Sequence, residues 1–286
     1  MNFVTDDYRL TSIKSSKEIL NGLDATVYKC IGGYRGRQSI TTKLLQEAER
    51  IHENAGKLRE MSTESLRIRL QQFKSQFRRK PSSFDQHLTD ALSAIVEASS
   101  RTLGIRPYVV QIAGALALYK GYIAEMATGE GKTLTASLAA IIRGWSGFPC
   151  HVITVNDYLA SRDAQKLEPL YSFCAVTVGS VTSTMQPHER AKGYQNDITY
   201  STAKEVTADF LRDRLALGSN QAFERRQIQI LSGNLIDKDD RVVTRGIHTA
   251  IIDEADSLLI DEAVTPLIIS QKQTNEPFSK ACMAAS

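Results

Sequence analysis

The sequence predicts an α/β fold: a parallel sheet flanked by helices, preceded by an α-helical N-terminal region. Three observations predict it. From Thr41 to about residue 100, apolar residues recur at spacings of three and four. After that, short apolar segments alternate with helical ones, which implies crossover units and a parallel sheet covered on both faces. A glycine-rich loop and an acidic strand end then fall where the carboxyl edge of such a sheet would bring them together.

Residues 1–40 are weakly patterned, and Gly32, Gly33 and Gly36 suggest a loose connector. The region 41–100 reads as helical. Leu44, Leu45, Ala48, Ile51 and His52 share one face, Pro81-Ser82-Ser83 breaks the series, and Leu88, Ala91, Leu92, Ile95 and Val96 resume it. The basic run Arg78-Arg79-Lys80 sits near a helix end, where it complements the helix dipole. A phosphate or lipid contact is the alternative use. Residues 101–270 form the alternating α/β region. Its expected strands are Tyr122–Met126, His151–Val155, Ala175–Val178, Asp197–Tyr200 and His248–Ile252, and a helix is expected from Lys132 to Trp145. From Leu211 to Gly246 runs a long connection with turns at Ser232-Gly233-Asn234 and Lys238-Asp239-Asp240. The tail 271–286 shows no folded pattern.

Composition narrows the classes. With 286 residues, 42% apolar and 23% charged, the chain has the balance of an ordinary globular protein. A net charge of +3 gives no case for a nucleic-acid-tracking surface, so no nucleic-acid partner is expected. The cysteines Cys30, Cys150, Cys174 and Cys282 lack metal or redox spacing and read as reduced thiols. The N-terminus has no signal-peptide pattern, and no apolar run approaches the roughly 18 residues of a membrane span.

The glycine-rich loop is Met126-Ala127-Thr128-Gly129-Glu130-Gly131-Lys132-Thr133. Binding a phosphate requires several backbone N–H groups turned to one point at a helix N-terminus. Gly129 and Gly131 permit that path, Lys132 supplies a point charge to the β and γ phosphates, and Thr133 supplies a hydroxyl to magnesium. The usual pattern begins with glycine where Met126 stands. The T-G-x-G-K-T form belongs to helicase-like motors rather than to small GTPases.

The apolar strand Ala250-Ile251-Ile252 ends in Asp253-Glu254. In phosphate-loop enzymes the Asp holds the magnesium shell and the following Glu polarises the attacking water. With Ala255 and Asp256 the segment spells DEAD. Before the loop lie Tyr108, which can stack on a base, and Gln111, whose amide can both donate to and accept from adenine. A lone Gln on a helix is as often merely exposed.

Together these segments resemble the SecA family, the ATPases that drive preproteins across the bacterial plasma membrane. The resemblance rests on Ile123–Met126 with Thr128–Ala136, on Thr154-Val155-Asn156-Asp157-Tyr158-Leu159-Ala160 with Arg162-Asp163, and on Asp197–Tyr200 and Phe210–Asp213. The longest match is Asp253–Ser257 through Leu259–Ala263, then Thr265–Ser270. It departs at Val264, where the family usually has Arg, and at Ala127, where it usually has Lys.

The resemblance implies a RecA-like domain binding ATP and Mg2+. Tyr108, Gln111, Thr128, Gly129, Glu130, Gly131, Lys132 and Thr133 would hold the nucleotide, Thr133 and Asp253 the metal, with Glu254 and Lys132 catalytic. It implies as partners a preprotein, a membrane translocation channel, a second motor domain in cis or in trans, and acidic phospholipid. Location would be cytoplasmic, peripheral to the plasma membrane. The family's later domains are not read before Ser286, so the chain is expected to be the ATP-binding half of a motor, binding ATP weakly and hydrolysing it slowly. The alternatives are a DEAD-class nucleic-acid helicase domain and a nucleotide-binding interaction module without hydrolysis. Asn156-Asp157-Tyr158-Leu159 stands where the first would carry backbone-contact motifs, and the second would not need Glu254.

Overall fold

The computed structural model describes residues 25–27, 29, 40–79, 84–127, 129–217 and 242–261. The connector glycines near residue 33, Thr128, the turns at 232–234 and 238–240, and the segment from residue 262 onward lie outside them.

The helical region consists of α1 (Ile40–Lys57), a 3-10 turn (Leu58–Glu60), α2 (Thr63–Arg79) and α3 (Phe84–Leu103). In α1 the buried stripe is Leu44, Ala48, Ile51 and Ala55, and in α2 it is Leu66, Leu70, Phe73 and Phe77. Both repeat at helical spacing, so each helix turns one apolar face inward. His52 and Leu45, expected on the α1 stripe, are only half-buried at its border. α2 ends on Arg78 and Arg79, with basic charge in its last turn as the dipole prefers. Arg101 of α3 ties the region together. It donates to the carbonyls of Leu58 at 2.9 Å and Met61 at 2.8 Å and pairs with Glu97 at 2.8 Å, partnering carbonyls at a helix end.

The α/β part runs α4 (Val109–Tyr119), α5 (Lys132–Trp145), β1 (Cys150–Thr154), α6 (Asp157–Phe173), β2 (Val178–Ser180), α7 (Pro187–Tyr194), β3 (Ile198–Thr202), α8 (Ala203–Leu217) and β4 (Thr249–Ile252). The four strands are all parallel, in the order β2-β3-β1-β4. Cys150 of β1 registers with Ile198 on one side and Thr249 on the other. Every β1 residue is buried, as in a sheet covered on both faces.

Helical region and sheet share one apolar core. Trp145, at the end of α5, is fully buried; Phe73 stacks on it at 6.5 Å and Phe77 meets its edge at 5.6 Å. Its indole N–H donates to the Cys174 carbonyl at 2.8 Å. α4 packs closely along α5 because Gly114 has no side chain: a Cβ there would lie 2.8 Å from Thr135 Cγ2.

Two strands differ from expectation. Tyr122–Met126 is not in the sheet. Helix α4 closes with Gly121 in the left-handed region (φ +80°), Gly121 N–H donating to Leu118 and Tyr122 N–H to Ala117. This closure sends the chain out with Ile123 90% exposed. The segment forms no ladder with the sheet, although an edge is open to it. Among the described residues β4 has no neighbour on its outer side. The strand expected at Ala175–Val178 starts later, at Val178, because Ala175 (φ +57°) and Val176 are used to close α6 onto Ser172 and Tyr171. The connection after Leu211 continues as helix to Leu217, and its return is pinned by Asp213, which accepts from Val243 N–H at 2.9 Å and Thr244 N–H at 2.8 Å.

His151 makes the fold acid-sensitive. It is buried in β1, its Nε2 bonded to the Gly246 carbonyl at 3.3 Å and its ring edge-on to Tyr194. Burial pushes its pKa from 6.5 down to about 4, against a smaller opposing pull from the Gly246 carbonyl. The unfolded chain binds a proton there that the folded chain refuses. Stability is therefore lost as pH falls from about 6.5 toward about 4, by up to about 3 kcal/mol. Urea unfolding at pH 7 and pH 4.5 measures the loss, and His151→Gln is expected to shrink the difference between the two.

Candidate functional site

The site lies at the carboxyl ends of β1 and β4, where the N-termini of α5 and α6 converge. Asp253 N–H donates to the Ile153 carbonyl at 2.9 Å, fixing the acidic strand end beside β1. Helix α5 opens on Lys132 directly after Gly131, which is left-handed at φ +80°, and Gly129 is left-handed at φ +87°. Neither conformation suits a residue with a Cβ. Lys132 and Thr133 are half-buried in the first turn of α5. Met126, in the place usually held by glycine, sets its sulfur against the open side of Gly114, where a Cβ would stand 3.3 Å away. A bulky residue is tolerated there because a glycine in the neighbouring helix makes the space.

Gln111 joins the start of α4 to the glycine-rich loop. It is buried; its Oε1 accepts from Tyr108 N–H at 2.9 Å, and its Nε2 donates to the Glu130 carbonyl at 2.7 Å. One side chain thus caps α4 and holds the glycine-rich loop. A Cβ at Gly131 would sit 2.3 Å from Gln111 Nε2, so the glycine is needed for this approach as well as for its dihedral. One N–H and one lone pair of the amide remain for a ligand. Tyr108, at the same corner, is 72% exposed.

Asp253 has its pKa raised, first by burial, then by Glu254 and by Asp163, with Lys132 opposing. Lys132 and Asp253 are therefore within electrostatic reach across the pocket. A divalent cation with anionic ligands of its own would relieve such neighbouring carboxylates, while among the described residues no three His, Cys, Asp or Glu side chains form a metal cage by themselves. Glu254 adopts φ +59°, a left-handed conformation unusual for a residue with a side chain. It places the exposed Glu254 side chain off the line of the strand.

The Asn156-Asp157-Tyr158-Leu159 segment has a plain structural use. Asn156 caps α6, its Oδ1 accepting from Leu159 N–H at 2.9 Å. Asp157 accepts from the Ser183 N–H and hydroxyl at 2.8 and 2.6 Å, pinning the loop after β2. Sequence reasoning did not single out Asp163 as a neighbour of Asp253, nor the bond from Gln111 to Glu130. Asp163 was marked in the sequence by the family resemblance of Arg162-Asp163 and by its place two turns into a helix that follows a strand, neither of which assigns it a role.

The comparisons with known proteins come down on the same region. The SecA DEAD-like domain model matches residues 30–285. The chain belongs to the SecA DEAD-like family. It is similar to Protein translocase subunit SecA 2 of Chlorobium chlorochromatii, 46% identical over 98% of this chain and 42% of that protein. The like-named protein of Magnetococcus marinus is 44% identical over 93% of this chain and 41% of its own length. Protein translocase subunit SecA of Neorickettsia sennetsu is 39% identical over 86% of this chain and 28% of its own. The chain thus spans less than half the length of these SecA relatives. Among the described residues of this SecA DEAD-like chain, no helix is long and apolar enough to cross a membrane.

Proposed function

We propose that this chain is the ATP-binding motor domain of a SecA-type protein-translocating ATPase. The observation that carries the reading is the convergence of the α5 N-terminus, opened by left-handed Gly129 and Gly131, on Asp253 at the carboxyl ends of β1 and β4. Backbone N–H groups around Gly129, Glu130 and Gly131, with Thr128, cradle the phosphates; Lys132 neutralises them. Thr133 and Asp253 are the residues that would hold Mg2+, which when bound withdraws charge from the phosphoryl oxygens. Glu254 orients and polarises the attacking water. Gln111 reads adenine with its remaining donor and acceptor, and Tyr108 stacks on the base.

The relatives are named as subunits of a protein translocase. We therefore assign as partners a preprotein, a membrane translocation channel, acidic phospholipid, and a second motor domain acting in cis or in trans. The protein works in the cytoplasm, peripherally at the plasma membrane. A transition-state cation from a second motor domain is worth about 10³ to 10⁵ in rate, so this chain by itself is expected to bind ATP and turn it over slowly.

Titration calorimetry with ATP and Mg2+ tests the site. Lys132→Ala is expected to weaken ATP binding by roughly 1.5–3 kcal/mol, the cost of a charge-assisted contact. Equal affinities for wild type and variant would remove the assignment of this loop.

A further inference from the structure

Arg162 and Asp163 lie in the second turn of α6, at the same carboxyl edge of the sheet as Asp253. Neighbours in sequence on a helix do not ordinarily face each other. Here Arg162 nevertheless curls back to set both Nε (2.8 Å) and Nη2 (2.7 Å) on Asp163 Oδ1. Asp163 is almost wholly buried, while the Arg162 side chain keeps 46% of its surface open. The guanidinium lies 5.9 Å from the ring of Tyr158, one turn earlier on the same helix, at the outer limit of a cation–π contact. The guanidinium is thus held from two sides.

The pair is electrically part of the cleft. Helix α6 follows β1, whose Ile153 carbonyl accepts from Asp253 N–H at 2.9 Å, and the charges of Asp163 and Asp253 both favour the charged guanidinium. A core needing only to be filled would use an apolar residue at position 163. A buried carboxylate beside another carboxylate costs stability, offset here only in part by the paired guanidinium, so the pair points to a use. The use on offer is a planar cation with fixed direction. Nη1 and the outer N–H of Nη2 are not engaged by Asp163, and they form the donor pattern that matches phosphate oxygens.

We infer that Arg162, held by Asp163, is a positioning residue for the terminal phosphate of bound ATP, acting from the β1–α6 side. The inference rests on the ATP-site reading above. It predicts discrimination: removal of Arg162 affects a ligand with a third phosphate far more than one with two.

The test measures Mg-ATP and Mg-ADP affinities of the 286-residue chain by calorimetry, beside thermal unfolding. Arg162→Ala is expected to weaken ATP at least about tenfold while ADP changes less than about twofold. Arg162→Lys restores only part of the loss, because an ammonium cannot be held by two nitrogens at once. Asp163→Asn lowers ATP affinity in the same direction by releasing the guanidinium. Arg162→Ala leaves the Asp163 carboxylate unpaired, so the double variant Arg162→Gln with Asp163→Asn is measured alongside, and the same ATP-selective loss is expected of it. Lys132→Ala separates the two ideas. If it weakens ATP binding as expected while the Arg162 variants leave the ATP-to-ADP ratio unchanged, the inference about Arg162 falls alone. If Lys132→Ala changes neither affinity, the site reading falls and this inference with it.

Discussion

Trp145→Ala is expected to destabilise the protein by about 3–5 kcal/mol. Trp145 is the largest fully buried side chain, wedged by Phe73 and Phe77 of α2. Truncation removes its apolar surface from the core and leaves a cavity between the helical region and α5. It also strands the Cys174 carbonyl, which loses the indole N–H. α5 is the helix whose first turn carries Lys132 and Thr133, so the damage is felt at both ends of it. Urea unfolding gives the cost, expected as a drop in midpoint at constant slope. Phe77→Leu, which keeps most of the volume, is expected to cost less than half as much. If Trp145→Ala unfolds within about 1 kcal/mol of wild type, the helical region is not welded to the sheet through this residue.

Gly131→Ala is expected to abolish measurable ATP binding, a loss of more than about a hundredfold, because several phosphate-facing N–H contacts fail together. Two constraints meet at this position. The backbone is left-handed at φ +80°, which costs an alanine about 1–2 kcal/mol, and its Cβ would lie 2.3 Å from Gln111 Nε2. Relief requires Gln111 to leave the Glu130 carbonyl or the loop to shift, and either one disturbs the cradle. Fluorescent-nucleotide titration of the folded variant reads the loss directly. A second variant, Gln111→Ala, makes space for the Cβ while giving up the bond to Glu130. If Gly131→Ala together with Gln111→Ala binds ATP far more weakly than Gln111→Ala alone, the dihedral dominates; equal binding by the two means that the clash does. Undiminished binding by Gly131→Ala would show that this loop does not hold phosphate.

Much of this was legible in the residues, for identifiable reasons. The helix Lys132–Trp145 was read to its ends because a glycine starts it and an unbroken apolar face runs through it. The strands ending at Thr154, Thr202 and Ile252 were located to within two residues, since buried parallel strands are short apolar runs. Tyr122–Met126 was misread for the complementary reason: an apolar run reports a preference for burial, not the presence of a neighbouring strand. Ala175 was misread because a left-handed alanine closing a helix has no sequence mark; a glycine there would have shown the turn.

The division at the phosphate loop is equally physical. The sequence by itself determined the α/β class, the left-handed glycines before Lys132, the acidic end of the Asp253 strand and membership of the SecA DEAD-like family. All of these follow from local spacing and residue type. Only the tertiary structure decided that Gln111 reaches Glu130 across 19 residues, that Phe73 and Phe77 close on Trp145, and that Asp163 and Arg162 belong beside Asp253. Those are contacts between distant or oddly paired residues. Their geometry is set by how helices pack on a sheet, and no period in the chain encodes it.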